Sequence, residues 1–138
     1  MQLKVGQTAV LSKTISLSDG ELFANLTGDS NPLHMDSVFA GRSRFGKRIA
    51  HGMWAASLIS GVLGTKLPGP GTIYLSQSLR FESPIYFDDT ITASVVIIKI
   101  RKDKPIVTLE TICRNQNDIV VVRGEAVVLI DSSLGIHP

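Results

Sequence analysis

Residues 52–64 read Gly-Met-Trp-Ala-Ala-Ser-Leu-Ile-Ser-Gly-Val-Leu-Gly, and this stretch decides the fold. Its apolar residues are spread around every side of a helix, which leaves almost no polar face. A helix that is apolar all round must be buried. Gly64 and Pro68 can end it, so the sequence predicts a buried helix that begins near Gly52.

The residues after this helix alternate between apolar and polar with a period of two. The apolar rows are Ile73, Leu75, Leu79 and Phe81; Ile91, Ala93, Val95 and Ile97; Val107, Leu109 and Cys113; and Val120, Val122, Ala126, Val128 and Ile130. Such alternation predicts an antiparallel sheet with one covered face. The stretch Thr8–Ile15 offers a further strand. Because helix and sheet both need cover, we expect an α+β hot-dog fold, in which a curved antiparallel sheet of about five strands wraps a central buried helix.

Composition restricts the class of protein. The 138 residues are 43% hydrophobic and 19% charged, which fits one globular domain over residues 1–138. The net charge of +2 is too small to indicate nucleic-acid binding, although it suits an anionic small molecule. One cysteine excludes an internal disulfide. We see neither a secretory signal nor an apolar stretch long enough for a membrane, and therefore expect a cytoplasmic protein.

A short helix and a rigid turn precede the central helix. Ser18 and Glu21 have the spacing of a capping box, and Gly28 follows the helix as a C-cap glycine. Pro32 disfavours a helical conformation at Asn31. We therefore expect a tight, non-helical turn in which Gly28 and Pro32 fix the backbone.

This turn carries a carboxylate, Asp29, and an imidazole, His34, five residues apart. Their ordinary pKa values, about 3.9 and about 6.5, leave an anion beside a nearly neutral ring at pH 7. Such a pair can hold a water molecule, remove its proton and return a proton elsewhere. The alternative is that Asp29 and Asn31 form Asx turns and that His34 is an ordinary loop residue.

A longer pattern surrounds the pair. Residues 23–36 read Phe-Ala-x-Leu-Thr-Gly-Asp-x-Asn-Pro-Leu-His-x-Asp, and they resemble the signature of the MaoC-like, (R)-specific enoyl-CoA hydratases. His51-Gly52-Met53 and the segment 71–81 are similar to the same family. The resemblance covers about residues 5–130 and is nearest to the short, single-hot-dog members that supply polyhydroxyalkanoate synthesis.

The resemblance implies that Asp29 and His34 are the catalytic pair, supported by Gly28, Asn31 and Pro32. It implies syn addition of water to a trans-2-enoyl-CoA, giving the (R)-3-hydroxyacyl-CoA, or the reverse dehydration. The coenzyme A thioester is then the substrate, and no cofactor is expected. Which of the two residues acts as the base stays open.

Two residues of the central helix are further candidates. Helix N-termini carry free N–H groups and partial positive charge, so Gly52 N–H could stabilise the thioester oxygen as an oxyanion hole. Alternatively, Gly52 only permits tight packing. The family places a serine near the site, which makes Ser60 a secondary substrate-binding candidate, although a buried hydroxyl often bonds a carbonyl one turn earlier.

The remaining polar residues suggest less. We expect His51 to cap or orient the helix start. No spacing of histidine, cysteine and carboxylates indicates a metal site, so none is predicted. Two basic clusters could meet the phosphates of coenzyme A or could be solvated surface: Arg42, Arg44, Lys47 and Arg48; and Arg101, Lys102 and Lys104.

Three alternative functions stay open. A hot-dog acyl-CoA thioesterase commonly uses a carboxylate near the central helix, and residues 52–64 contain none. A 3-hydroxyacyl-acyl-carrier-protein dehydratase would use the same chemistry. A non-catalytic acyl-thioester-binding subunit would not need the Asp29–His34 pair. Because an open sheet leaves edges that need cover, we also expect a homodimer.

Overall fold

The strands and the two longer helices follow the order that the sequence predicts, whereas two short helices between them were not predicted. A computed structural model describes residues 2–134. Its strands are β1 (Thr8–Thr14), β2 (Thr72–Gln77), β3 (Arg80–Phe81), β4 (Thr90–Ile100), β5 (Ile106–Arg114) and β6 (Val120–Ile130). Its helices are α1 (Leu17–Thr27), α2 (Pro32–Met35), α3 (Ser37–Gly41) and α4 (Gly52–Thr65), followed by a short 3-10 helix, Ser132–Leu134.

The strands form one antiparallel sheet around α4. The order is β1-β4-β5-β6-β2, and β3 pairs with β6 beyond the end of β2. Helix α4 contacts β1, β2, β4, β5 and β6. The predicted hot-dog fold is therefore confirmed, with six strands rather than about five because β3 adds a two-residue strand.

The core lies between α4 and three long strands. The rows predicted on β4 and β5 are completely buried, and so is most of the row on β6. On α4 the residues that pack inward are Trp54, Ala55, Ala56, Leu58, Ile59, Val62 and Leu63. A narrow stripe of Met53, Ser57, Ser60 and Gly64 remains exposed. The helix is thus buried on all but one side, and that side carries its two serines.

Most of the apolar row predicted on β2 and β3 does not face a covered side, although Leu79, between the two strands, packs against the core. Ile73, Leu75 and Phe81 are each about half exposed. Strand β2 lies at the end of the sheet, pairs only with β6, and contains a bulge between Tyr74 and Ser76. The expectation of one buried face is therefore wrong for this strand within a single chain.

The predicted start of α1 is also wrong, by two residues. Ser16 is the N-cap: its hydroxyl accepts the Asp19 N–H at 3.1 Å, and the Asp19 carboxylate accepts the Ser16 N–H at 3.0 Å. Ser18 already lies inside the helix and cannot cap it. The predicted C-cap is confirmed, because Gly28 has a left-handed φ of 81° that favours glycine.

Among residues 2–134, no helix is both long enough and apolar enough to cross a membrane.

Truncation of the central helix at its most buried side chain should destabilise the protein. We expect Ile59→Ala to lower the free energy of unfolding by about 2–5 kcal/mol, since it removes packed methyl groups and leaves a cavity. Urea unfolding at a fixed protein concentration measures this change. Exposed Val38 provides the control, for which Val38→Ala should cost less than about 0.5 kcal/mol. Equal losses in both variants would contradict a core centred on α4.

Candidate active site

The segment that joins α1 to α2 places Asp29 and His34. Asn31 is the N-cap of α2, its side-chain oxygen accepts the Leu33 N–H at 3.0 Å, and Pro32 occupies the first helical turn. Proline is well suited to that position because its missing N–H has no partner to lose. His34 therefore lies on a short helix, which corrects the expectation of a non-helical turn throughout.

Two Asx turns are present, as the alternative interpretation required. One is the cap at Asn31; in the other, Asp29 Oδ1 accepts the Asn31 N–H at 3.3 Å. The Asp29 side chain nevertheless stays half exposed, so one carboxylate edge remains available. The turns orient the carboxylate and do not exclude it from chemistry.

His34 is held through one ring nitrogen. The residue is 9% exposed, and its Nδ1 lies 2.7 Å from the backbone oxygen of Ile49. A carbonyl only accepts, so Nδ1 must carry the hydrogen. Nε2 has no hydrogen-bond partner within the described chain and is not among its fully buried atoms. A neutral His34 therefore presents a lone pair at Nε2.

His51 lies against the same turn at the start of α4, where the sequence predicts a residue that caps or orients the helix. It occupies the N-cap position of α4 without making a side-chain cap bond. Its Nε2 donates to the backbone oxygen of Asp29 at 2.8 Å and lies 4.0 Å from Asp29 Oδ2. His51 is 1% exposed, and its Nδ1 is buried with no partner in residues 2–134. Of the two predicted roles, capping is not observed, and the hydrogen bond to Asp29 instead joins the start of α4 to the turn.

The surroundings favour the neutral form of His34. Burial lowers the pKa of His34 below its ordinary value of 6.5, while the hydrogen bond to Ile49 opposes this shift. The neighbouring His51, whose ring centre lies 4.0 Å away, and Arg48 lower the pKa further; Asp29 raises it. The result is an uncharged ring that can receive a proton.

Asp29 and His34 open on one cleft of about 590 Å³. Gly52 lies on its wall at the start of α4, and no acceptor among the described residues takes the Gly52 N–H. A Cβ at Gly52 would lie 2.7 Å from the Phe81 ring. Both interpretations of Gly52 therefore have support: its N–H is free, and its lack of a side chain permits close packing.

Ser60 lies apart from this cleft. It lines a second, apolar cleft of about 520 Å³ between α4 and β2, together with Phe23, Tyr74 and Leu75. Met53 lines both clefts, so they adjoin at the exposed stripe of α4. The structure thus brings Asp29, His34 and Gly52 together and leaves Ser60 in the neighbouring apolar space.

The fold creates a cluster that the sequence spacing does not reveal. One potential ligand atom each from Asp29, His34 and His51 lies within 4.8 Å of the others. Two ring nitrogens of this cluster already donate to backbone carbonyls, which favours a hydrogen-bonded site over a metal site. The absence of a resident metal stays a prediction.

The basic residues divide into different groups. Arg44 lines the cleft that Asp29 and His34 share, whereas the guanidinium of Arg101 forms an ion pair with Asp103 at 2.6 Å on the exposed β4–β5 turn. Arg48 contacts the backbone of His34, a contact that no sequence pattern indicated.

Cys113 is a residue of the core. It is buried and donates to the Ala55 carbonyl, and burial raises its pKa to about 12.

Comparison with known proteins identifies the family. Residues 2–116 match the family model described as MaoC like domain. The chain belongs to this family. It is 48% identical to the (R)-specific enoyl-CoA hydratase of Rhodospirillum rubrum, over 93% of this chain and 88% of the relative. It is 49% identical to the hydratase of the same name from Aeromonas caviae, over 91% of this chain and 94% of the relative.

A solved structure supports the same conclusion. The (R)-hydratase from A. caviae involved in polyhydroxyalkanoate (PHA) biosynthesis superposes with a TM-score of 0.91 at 48% identity, over 93% of this chain and 97% of that one. The resemblance inferred from residues 23–36, 51–53 and 71–81 is therefore confirmed.

The pKa of His34 should lie below the ordinary histidine value of 6.5. Because burial, Arg48 and His51 disfavour its charged form, we expect its NMR signals to inflect below pH 6.5. A proton–carbon correlation series over pH measures this, with the His34→Gln variant assigning the signals. An inflection at or above 6.5 would contradict the proposed neutral ring.

Proposed function

We propose that this protein adds water to a trans-2-enoyl-CoA to form the (R)-3-hydroxyacyl-CoA, and catalyses the reverse dehydration. One observation carries the proposal: an Asp29 carboxylate and a free His34 Nε2 share a cleft with an unpaired Gly52 N–H. The (R)-specific enoyl-CoA hydratases at 48% and 49% identity perform the named reaction, which supports carrying it to this chain.

His34 takes the first proton in this proposal. Its Nδ1–H donates to Ile49, so the neutral ring can only accept at Nε2. A water between Asp29 and His34 donates to both, and its oxygen lone pair attacks C3 as His34 Nε2 removes a proton. The Asp29 carboxylate orients the water and stabilises the imidazolium that forms.

The second step restores both residues. As the C3–O bond forms, the electrons of the C2–C3 double bond move toward the thioester oxygen and give an enolate. When the enolate collapses, C2 takes the proton from His34 Nε2. Because one ring delivers the proton from the side where water attacked, addition is syn, as expected for this family.

Gly52 is proposed to stabilise the enolate oxygen. Its N–H is the first of α4, where the unpaired amides carry partial positive charge. A donor that is already fixed before the reaction needs no reorganisation as charge develops. The packing against Phe81 is compatible with this role because it fixes the amide in place.

The neighbouring apolar cleft offers space for the acyl chain. It begins at Met53 and continues along the exposed stripe of α4 to Ser60. Ser60 is therefore proposed as a residue of the acyl pocket, and the catalytic step does not use it. Arg44 lies on the wall of the catalytic cleft and could meet the phosphates of coenzyme A.

The same apolar region favours a homodimer. Strand β2 ends the sheet and presents Ile73, Tyr74 and Leu75 to solvent, next to exposed Met53. An unpaired, apolar edge is a template for pairing with another strand. A second copy covering β2 would also close the acyl cleft.

The alternative functions receive less support. Helix α4 carries no carboxylate of the kind expected in a hot-dog thioesterase. A dehydratase acting on acyl carrier protein would use the same residues and differs only in the thioester carrier. Absence of a cofactor, a cytoplasmic location and a role in polyhydroxyalkanoate synthesis stay predictions.

Purified protein should hydrate crotonyl-CoA, observed as a fall in the enoyl absorbance. We expect Asp29→Asn and His34→Ala each to lower kcat about 10²–10⁴-fold, because each removes one partner of the reacting water. Asp118→Asn is the control, since Asp118 lies on the exposed β5–β6 turn beside Arg114.

Several results would overturn this assignment. Parent-like rates in both site variants would exclude a catalytic role for Asp29 and His34. Release of free thiol from the thioester without hydration would favour a thioesterase. An (S) product in chiral analysis would contradict the stereochemistry. Activity on crotonyl-acyl carrier protein alone would assign the dehydratase alternative.

Light scattering at micromolar concentration should give about twice the 14.9 kDa of one chain. Because a charge on the apolar edge opposes pairing, Leu75→Arg should shift the mass toward the monomer. Val38→Arg, an exposed site on α3, serves as the control. A monomeric parent protein would contradict the proposed dimer.

A further inference from the structure

Arg48 makes an unusual contact for a basic residue in a surface cluster. Its Nε donates to the backbone oxygen of His34 at 2.7 Å. Its guanidinium carbon lies 5.2 Å from the centre of the Phe87 ring, so the group is held between a carbonyl and an aromatic face. The side chain is half-buried, whereas Arg42, Arg44 and Lys47 are exposed.

The charge of Arg48 is not neutralised by an acid. No carboxylate in residues 2–134 forms an ion pair with it. A half-buried guanidinium without an anionic partner acts on the groups nearest to it, and the nearest functional residue is His34. Arg101 and Arg123 differ from Arg48 in this respect, because they form ion pairs with Asp103 and Glu82.

Residues 48 and 49 together hold both ends of His34. The Ile49 carbonyl accepts from the His34 ring, and the Ile49 N–H donates to the Leu33 carbonyl at 3.1 Å. Arg48 completes the set by fixing the carbonyl of His34 itself. Loss of this contact would leave the C-terminal side of His34 free to shift on its four-residue helix.

We propose that Arg48 is a positioning residue for the hydration reaction, holding the His34 carbonyl so that Nε2 faces the shared water. The inference rests on the proposed function of the site. Its positive charge, close to the ring, also opposes protonation of the resting imidazole. Arg48 thus holds the group that accepts the proton in place and adds to the effect of burial, which is the main cause of its lowered pKa.

Five charged or titratable groups lie beside the His34 ring or on the cleft that it lines. Asp29 lies on the turn, His51 precedes α4, and Arg48 lies beside the carbonyl. Arg44 and Glu82 also line the cleft. Among the three that act on the pKa of His34, Arg48 and His51 lower it and Asp29 raises it, so removal of Arg48 should raise it.

The test compares Arg48→Gln, which removes the charge, with Arg48→Lys, which keeps it without the planar Nε–H. Crotonyl-CoA hydration is followed from about pH 5 to pH 8, where histidine titrates. We expect Arg48→Gln to lower kcat about tenfold to a hundredfold with little change in KM, because the base is misplaced. The acid limb of kcat/KM should move to higher pH.

Arg48→Lys should also lower kcat but leave the acid limb where the parent has it. Arg114→Gln, which removes a partly exposed arginine of β5, is the matched control and should change neither quantity. An acid limb at the same pH in Arg48→Gln and the parent would overturn the inference. A fall in kcat/KM that comes from a higher KM alone would also overturn it, and would instead indicate that Arg48 contacts a phosphate of the substrate. If Arg48→Gln does not fold, Arg48→Lys decides: a parent-like kcat contradicts the positioning role.

NMR titration separates this inference from the proposed function, since it needs no substrate. The pKa of His34 should be higher in Arg48→Gln than in the parent and unchanged in Arg114→Gln. Equal values in the parent and Arg48→Gln would refute the role of Arg48 even if the protein proves to be a hydratase. A shifted pKa in a protein that hydrates no enoyl thioester would leave the contact correct and the function wrong.

Discussion

The site depends on the hydrogen bond between His34 Nδ1 and the backbone oxygen of Ile49. This bond assigns the ring hydrogen to Nδ1 and leaves Nε2 as an acceptor in the cleft. It also joins two segments that are distant in the sequence, the turn after α1 and the approach to α4. A buried ring nitrogen without a partner costs roughly 1–3 kcal/mol, so the bond fixes the orientation as well as satisfying the ring.

Further hydrogen bonds join the turn that carries Asp29 and His34 to the residues just before α4. His51 holds the carbonyl of Asp29 and Arg48 holds that of His34, so the turn is attached at its start and at its end. The Ala50 N–H donates to the Ile85 carbonyl at 2.6 Å, which joins the same segment to another residue that lines the cleft. Because α4 is surrounded by the sheet, the residues just before it form a rigid base for an otherwise exposed turn.

Much of this could be predicted from the sequence because it rests on local patterns. The apolar run of 52–64 predicts the buried helix, and alternation over residues 91–97 and 107–113 predicts the long strands. The capping box was misplaced because Ser16 and Ser18 both begin plausible Ser-x-x-acid patterns. The exposure of Ile73 and Leu75 could not be predicted, since alternation indicates that a face is apolar but not whether the same chain covers it.

The residues of the site also divide into those that a local sequence pattern predicts and those that it does not. Gly28, Asn31 and Pro32 have local roles that their residue types suggest. The residue types of Asp29 and His34 suggest a pair that shares a water, and the resemblance favours this interpretation over ordinary loop residues. The contacts of Arg48 and His51 join residues 14 and 22 positions apart, and no spacing rule connects them. Such contacts arise only when α4 brings its N-terminus against the turn.

A crystal structure of the Asp29→Asn variant with crotonyl-CoA tests the shared-water geometry most directly. The thioester oxygen should lie about 2.9 Å from Gly52 N. An ordered water between the side chain at position 29 and His34 Nε2 should lie within about 3.5 Å of C3. A thioester oxygen directed away from Gly52, or a C3 atom that faces away from His34, would contradict the shared-water geometry.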